Sequence, residues 1–347
     1  MGFIDRLKGE GNAMQVVVLA GGVGSRLRPW TNQIPKPLLP MLDKTLLERV
    51  VEGVPNDLVD EVIVAGGYKI DMIRQYFADA DVDFDVTIVP EDEPLGTGGA
   101  LANCSDIISG TFACFNGDIV SSLDVTPMIE LHKRNGGIGT LALWEVEDPT
   151  RFGIVGLDED SRITQFKEKP KKEEVFSNLI NAGSYILEDD IFDFMHEGKH
   201  SIEREVFPVL AKEGKLNGMQ FDGYFVDAGT PESWSEGVQE CIRKKRFSSG
   251  EVCGGSWFSN PMAKVTEGAR VVGSMVEGNV SIGSSEVIES TILSGSLVGD
   301  NSVLSSCLIG RNATIGNNCN LNGVVVDHNS IIPPETSQIG GKWLSQE

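Results

Sequence analysis

Gln15-Val16-Val17-Val18-Leu19-Ala20, running into Gly21-Gly22-Val23-Gly24-Ser25-Arg26-Leu27-Arg28-Pro29, decides the fold. An almost unbroken apolar run of this kind is the pattern of a strand buried on both faces, as in a parallel α/β sheet. The strand empties into a loop whose glycines let backbone N–H groups approach a ligand and point at phosphate oxygens, while Arg26 can fork onto phosphates. A triphosphate cradle at a strand end is the expectation. The loop is neither a Walker loop, which needs G-x-x-x-x-G-K-[ST], nor a dinucleotide fingerprint, which needs G-x-G-x-x-G opening a helix. Pro35-Lys36-Pro37 follows, two prolines restricting the backbone around one lysine, which presents an ammonium rigidly to an anion.

Outward from this point the chain alternates. Helical spacing is predicted over Leu46–Val51, Ile70–Phe77, Gly99–Ile108 and Thr126–Arg134, and strands over Glu61–Ala65, Val86–Pro90 and Thr111–Phe115. β, α, β repeated predicts a right-handed, mostly parallel α/β sheet. Strands over Ile138–Val146, Gly153–Gly156, Ile163–Phe166 and Ile180–Leu187 then form a mixed region, Met219–Val226 adds strand, and a helix over Ser233–Lys245 closes the domain. From about Pro261 aliphatic residues recur every six positions: Val276, Ile282, Ile288; Ile292, Val298, Leu304; Val303, Ile309, Ile315, Leu321; Val326, Ile332. Such a period, with several slips of register, predicts a parallel β-helix of hexapeptide repeats with three segments per coil. The expected division is 14–245, a linker over 246–258, and a β-helix over 259–347. That last stretch carries 8 acids and 4 bases, the near-neutral surface of a stacking or subunit-contact module.

The whole chain has 347 residues, 51 acidic against 29 basic side chains, a net charge of -22 and 40% hydrophobic residues, which implies a folded, acidic protein of two domains. The acidity argues against a general nucleic-acid surface. The longest apolar run, Val16 to Ala20, is far short of the ~20 residues of a membrane span, and the charged N-terminus has no apolar core, so a cytoplasmic protein is expected. Met14 offers an alternative start that makes the first thirteen residues a short leader. Cys104, Cys114, Cys241, Cys253, Cys307 and Cys319 form no C-x-x-C pair and read as reduced thiols. His132, His196, His200 and His328 form no ligand-spaced cluster, so zinc is not expected, and His328 reads as a surface histidine.

Gly21 to Arg28 followed by Pro35-Lys36-Pro37 resembles the signature of the sugar-1-phosphate nucleotidylyltransferases. Further matches come in the expected order over residues 15 to 235: Glu93-Pro94-Leu95-Gly96-Thr97-Gly98-Gly99-Ala100, Asn116-Gly117-Asp118, Phe152-Gly153-Ile154-Val155, Glu168-Lys169-Pro170, Asn181-Ala182-Gly183, Ser201 to Glu205, and Asp227 to Glu232. The resemblance implies a Rossmann-like nucleotidyltransferase domain followed by a left-handed β-helix. Within the family the Glu-Pro-Leu-Gly-Thr segment, Ser201 to Glu205 and the short β-helix are most similar to mannose-1-phosphate guanylyltransferases, which use GTP and mannose 1-phosphate. Glucose-1-phosphate thymidylyl- and uridylyltransferases and heptose-1-phosphate guanylyltransferases share much of the pattern and remain alternatives.

The chemistry accounts for these residue types. A sugar phosphate oxygen attacks the α-phosphorus of a nucleoside triphosphate in line and expels pyrophosphate, so positioning and charge neutralisation are the work. Asp118 and Asp227, each following a strand, would supply hard oxygen ligands to Mg²⁺. The resemblance implies Arg26 on the leaving phosphates and Lys36 near the α-phosphate. It implies Leu19, Ala20, Gly21, Gly22, Gly24, Ser25, Gly96, Thr97, Gly98, Asn116 and Gly117 around the nucleotide. Gly153, Glu168, Lys169, Asn181 and Gly183 would surround the sugar phosphate, with Lys169 on its phosphate. Glu203 and Glu205 read as helix-surface carboxylates or as supports behind the site. A competing class is a regulatory subunit of the same architecture, which would be expected to lose Lys36, Asp118 or Asp227; all three are present. The β-helix is expected to assemble a homo-oligomer.

Overall fold

Val16, Val17 and Val18 are wholly buried, and the strand they form is the hinge of the sheet order. In the computed structural model, which describes residues 13–261 and 263–345, this strand is β1, Met14–Leu19. The leader expected before Met14 therefore lies almost entirely outside the described residues. The chain divides into two compact units, one holding residues up to 22 together with 47–225, the other holding 23–46 together with the chain from 226 onward.

In the first unit β2 (Val59–Gly66), β3 (Asp85–Pro90) and β4 (Phe112–Asn116) join β1 in the parallel order β3-β2-β1-β4. The sheet then turns mixed. β5 (Gly139–Glu145), β6 (Gly153–Leu157), β7 (Ile163–Glu168), β8 (Leu179–Leu187) and β9 (Leu216–Gln220) complete it. β8 runs antiparallel to β4, β5 and β6, while β9 is parallel to β5. This is the Rossmann-like mixed sheet that the alternation predicted. Because β1 lies between β2 and β4, the loops leaving the carboxyl ends of β1, β3 and β4 open at a topological switch point, where such sheets bind ligands. Those loops are pinned to the sheet by bonds beyond its formal strands. Ala20 N–H donates to Ala65 O at 2.7 Å, Gly117 N–H to Leu19 O at 3.0 Å and Glu91 N–H to Gly66 O at 3.0 Å.

Two elements differ from expectation. The helix predicted near Gly99 starts three residues earlier, at Gly96, since the carbonyl of His200 accepts from the Gly98 and Gly99 N–H groups and caps its first turn. The strand predicted over Met219–Val226 is two pieces, Leu216–Gln220 and Phe225–Asp227, because the chain turns at Gly223, where φ is 112° and Ser122 Oγ bonds both Asp222 O and Tyr224 N.

In the second unit, Pro231–Arg243 forms a helix capped by reciprocal bonds between Thr230 and Ser233, and it buries Trp234, Val238 and Cys241. From residue 251 the chain winds into three parallel sheets of seven, five and five strands, apart from one antiparallel pairing at the start. The stretch expected to be a linker supplies that start: Glu251–Cys253 and Ser256–Phe258 form a hairpin, and the second strand pairs in parallel with Met275–Val276 of the first sheet.

The inward ladder explains the slipping period. Val276, Ile282, Val287, Ile292, Val298, Leu304, Ile309, Ile315, Leu321, Val326 and Ile332 are all at most 4% exposed. Most steps between them are six residues, but two in the first coil and one in each later coil are five, so paired positions in successive coils stand sixteen (Met275 to Thr291) and then seventeen (Thr291 to Leu308 to Val325) residues apart. Ile288 and Val303, which fit an unbroken six-residue period, consequently face away from the ladder, Ile288 half-buried and Val303 exposed. The serines around the ladder have a physical role. Ser274 Oγ accepts from Ser290 N–H, Ser290 Oγ from Cys307 N–H, and Ser302 Oγ from Cys319 N–H, so each coil satisfies a buried donor of the next.

Candidate functional site

In the first unit the expected nucleotide residues gather at the carboxyl end of β1. Gly21 lies directly over Glu91: a Cβ on Gly21 would stand 2.8 Å from Glu91 Oε1. Glu91, the first residue after β3, is buried at 8% exposed, with Gly21 and Gly67 against it. Its Oε2 accepts from Leu95 N–H at 3.0 Å, while Oε1 has no hydrogen-bond partner in the protein. Glu91 was not among the residues expected at the site; its one signal in the sequence is its place directly after the last strand residue of β3. Asn116 and Gly117 end β4 beside Leu19, and the half-buried Asp118 follows.

Gly98 departs from its expected role. Its N–H is spent on His200 O, and a Cβ there would stand 2.3 Å from the His200 ring, so this glycine serves close packing of the helix on His200. Thr97 instead reaches Glu203. Thr97 Oγ1 donates to Glu203 Oε2 at 2.5 Å, and Ser201 Oγ donates to the same oxygen at 2.6 Å. Glu203 is therefore no free surface carboxylate. It sits in a π-helical turn, Ile202–Val206, close enough to add to the upward pKa shifts that burial gives Glu168 and Tyr185. Serine two residues before it was the available sequence signal.

The expected sugar-phosphate residues lie on β6, β7 and β8 or, for Lys169, directly after β7. Glu168 pairs with Gly153 across β6 and β7, and a Cβ on Gly153 would touch Glu168 Oε2 at 2.8 Å. Lys169 takes a left-handed backbone, φ 46°, which costs a non-glycine residue energy and marks a constrained turn before Pro170. Its Nζ stands 3.7 Å from Glu168 Oε1. Asn181 is more committed than expected, since its Nδ2 donates to Tyr185 Oη at 2.9 Å and its Oδ1 accepts from Gly183 N–H at 3.1 Å. Register between β8 and β5 shifts between Asn181 and Tyr185. In this bulge Gly183 has φ 69° and passes so close to Asn116 that a Cβ would stand 2.7 Å from Asn116 Nδ2, so only glycine suits the position.

Glu168 is held above the usual carboxylate range, first by burial and then by Glu203, with Lys169 pulling the other way. A raised carboxyl pKa means that the charged acceptor is lost early as pH falls. On the expectation that Glu168 accepts from a sugar phosphate, the Michaelis constant for that substrate should rise on the acid side above the ordinary glutamate range. In Glu168→Gln that limb should be missing; initial rates across pH for both proteins provide the check.

In the second unit, Gly24, Ser25, Arg26, Lys36 and Asp227 come together. Ser25–Leu27 is a single 3₁₀ turn and Arg26 is exposed. Lys36 is buried at 7% exposed, with its Cβ 3.1 Å from the position a Cβ on Gly24 would take. Arg26 and Asp227 converge over Gly229, where a Cβ would meet Arg26 Nη2 at 2.5 Å and Asp227 Oδ1 at 2.8 Å. Among the described residues no group of three or more His, Cys, Asp or Glu could enclose a metal ion, and no helix is long and apolar enough to cross a membrane. His328, expected at the surface, is 2% exposed because Trp30 lies against it.

Residues 15–244 match the nucleotidyl transferase family, and residues 261–343 match the GlmU-like C-terminal hexapeptide family. A relative described as probable mannose-1-phosphate guanylyltransferase 2, from Oryza sativa subsp. japonica, is 30% identical over 361 residues, spanning 93% of this chain and 99% of its own. The mannose-1-phosphate guanylyltransferase of Mycobacterium tuberculosis is 34% identical over 293 residues, 83% of this chain and 80% of its own. Among solved structures, HddC from Yersinia pseudotuberculosis is 31% identical with a TM-score of 0.55, covering 65% of this chain and 99% of that one. A second structure of HddC, complexed with GMP-PN, gives a TM-score of 0.54 with the same identity and coverage.

Proposed function

The chain belongs to the nucleotidyl transferase family, and from that premise we propose that it transfers a guanylyl group from GTP to mannose 1-phosphate, releasing pyrophosphate and forming GDP-mannose. The observation that carries this reading is the match to relatives named mannose-1-phosphate guanylyltransferase along nearly the whole chain, β-helix included. Glu91 supplies a physical reason for the base. Guanine alone among the common bases offers a ring N–H beside an exocyclic amino group, two parallel donors for one carboxylate. Uracil and thymine would set carbonyl oxygens against it, and adenine and cytosine a ring nitrogen lone pair.

On this reading the mannose phosphate oxygen attacks the α-phosphorus while Arg26 stabilises the departing pyrophosphate and Lys36 the α-phosphate. Glu168 accepts from sugar hydroxyls, and Lys169 faces the sugar's phosphate. The nucleotide lies along Leu19 to Gly22, Gly96 and Thr97, with Asn116 and Gly117 beside it. We assign Asp118 and Asp227 as magnesium ligands because each is a half-buried carboxylate at or just after the end of a strand, with the hard oxygen donors that Mg²⁺ prefers. Bound there, Mg²⁺ would neutralise phosphate charge. We place the reaction in the cytoplasm and assign the near-neutral β-helix to homo-oligomer contacts, a state that light scattering at assay concentration reads directly.

Comparing GTP with inosine triphosphate, which lacks the 2-amino group, tests the base assignment. The wild-type protein should prefer GTP by about tenfold or more in kcat/KM, the worth of one charge-assisted hydrogen bond. Glu91→Gln should erase that preference. An identical ratio in both proteins would refute it.

A further inference from the structure

Trp30 carries no role in the chemistry, yet it stands between Arg26 and Lys36 and is completely buried. Its Nε1–H donates to Val326 O at 2.9 Å, a bond spanning 296 residues of sequence. Its ring stacks on His328, with centroids 6.0 Å apart and planes 27° from parallel. The next residue points the other way along the same short helical turn. Thr31 Oγ1 donates to Gly24 O at 2.9 Å, and its methyl lies under Gly24, 2.9 Å from where a Cβ would be. Lys36 packs on that glycine from its own side of the loop. Contact thus runs without a break from the β-helix coil at Val326 and His328, through Trp30 and Thr31, to the loop that presents both cations.

The anchoring coil is itself well fixed. Val326 belongs to the inward ladder and pairs with Ile309. His328 Nδ1 accepts from Arg311 N–H at 2.8 Å, which sets the ring plane and puts the proton of the neutral ring on Nε2. Burial, aided by Arg311, holds this imidazole below its ordinary pKa against the opposing pull of Asp327 and the Trp30 backbone, so the ring stays neutral under the indole. Further along the same segment, Leu42 N–H meets Met275 Sδ at 3.3 Å, and Asp43 Oδ2 accepts from Ser248 and Ser249 N–H at 2.7 and 2.9 Å. The segment 23–46 is accordingly part of the β-helix unit and not of the sheet it follows in sequence.

We propose that Trp30 is a positioning residue through which the β-helix holds the Arg26 and Lys36 loop in its working geometry. The idea rests on the reading of that loop as the phosphate cradle. It gives the β-helix a part in catalysis without placing any of its residues on substrate. An indole N–H aimed at a backbone carbonyl fixes direction as well as depth, which apolar burial alone does not do.

The test uses the full-length chain and two variants approaching the contact from opposite sides. Trp30→Phe keeps an aromatic ring and loses the donor; His328→Gln keeps an acceptor for Arg311 and loses the stacking plane. Hydrogen exchange of backbone amides within residues 23–39 is expected to quicken by about tenfold in each, with β-helix amides unchanged. Turnover should fall by about 10- to 100-fold, with the Michaelis constant for the sugar phosphate within about twofold, as for misplaced cations that act on the leaving pyrophosphate and the α-phosphate. Unchanged exchange in the loop, or faster exchange with unchanged turnover, would overturn the proposal. The exchange comparison needs no substrate, so wild-type protein that releases no pyrophosphate would sink the guanylyl reading and still leave exchange to decide this one. If Trp30→Phe does not fold, His328→Gln alone carries the same decision.

Discussion

Asp118→Asn is expected to lower turnover by about a thousandfold or more while leaving the folded protein intact, because the substitution removes charge and hardly any volume. Asp118 is half-buried just beyond β4, whose own residues Phe112 to Phe115 supply the packing. Phosphoryl chemistry crowds negative charge around the reacting phosphorus, and a carboxylate that would bind a divalent cation offsets it in a way that a neutral amide cannot. Pyrophosphate release and the thermal midpoint, measured on the same preparation, separate lost chemistry from lost structure. Near-normal turnover in the variant would remove Asp118 from the site.

Ile309→Ala is expected to destabilise the second unit by about 2–5 kcal/mol, the usual range for deleting this much of a buried aliphatic side chain. Ile309 is fully buried and paired with Ile292 before it and Val326 after it, so a cavity there has neighbours on both sides. Ile331, 69% exposed on the outside of the same coils, is the matched control, and Ile331→Ala should stay within about 0.5 kcal/mol. Denaturant midpoints for the two variants decide the frame of the repeat. Similar shifts would mean that the ladder is misread.

Why the frame needed the structure is instructive. A six-residue period is visible in Ile292, Val298 and Leu304, but each coil contains at least one five-residue step, and a fixed period therefore drifts onto outward positions such as Ile288 and Val303. Local patterns were enough for β1, whose apolar run admits no exposed face, and for the glycine-rich loop after it. Long-range contacts were not legible. Nothing adjacent to His328 announces Trp30, and nothing near Glu203 in sequence announces Thr97, 106 positions away. The hairpin before the first full coil looked like a linker, because Glu251 to Cys253 are exposed and lack the inward aliphatic signal. Asn181 and Gly98 were expected at the site, but nothing in the sequence showed that their hydrogen-bonding groups are engaged by Tyr185, Gly183 and His200.

Guanylyl transfer to a sugar 1-phosphate is tested most directly by pyrophosphate release with Mg²⁺, over GTP, dTTP, UTP, CTP and ATP against mannose-, glucose- and heptose-1-phosphates. One dominant response is expected, from GTP with mannose 1-phosphate. A dominant response from dTTP or UTP with glucose 1-phosphate would contradict the assigned substrates, and silence from every pair in folded protein would contradict the enzyme itself and leave a regulatory subunit.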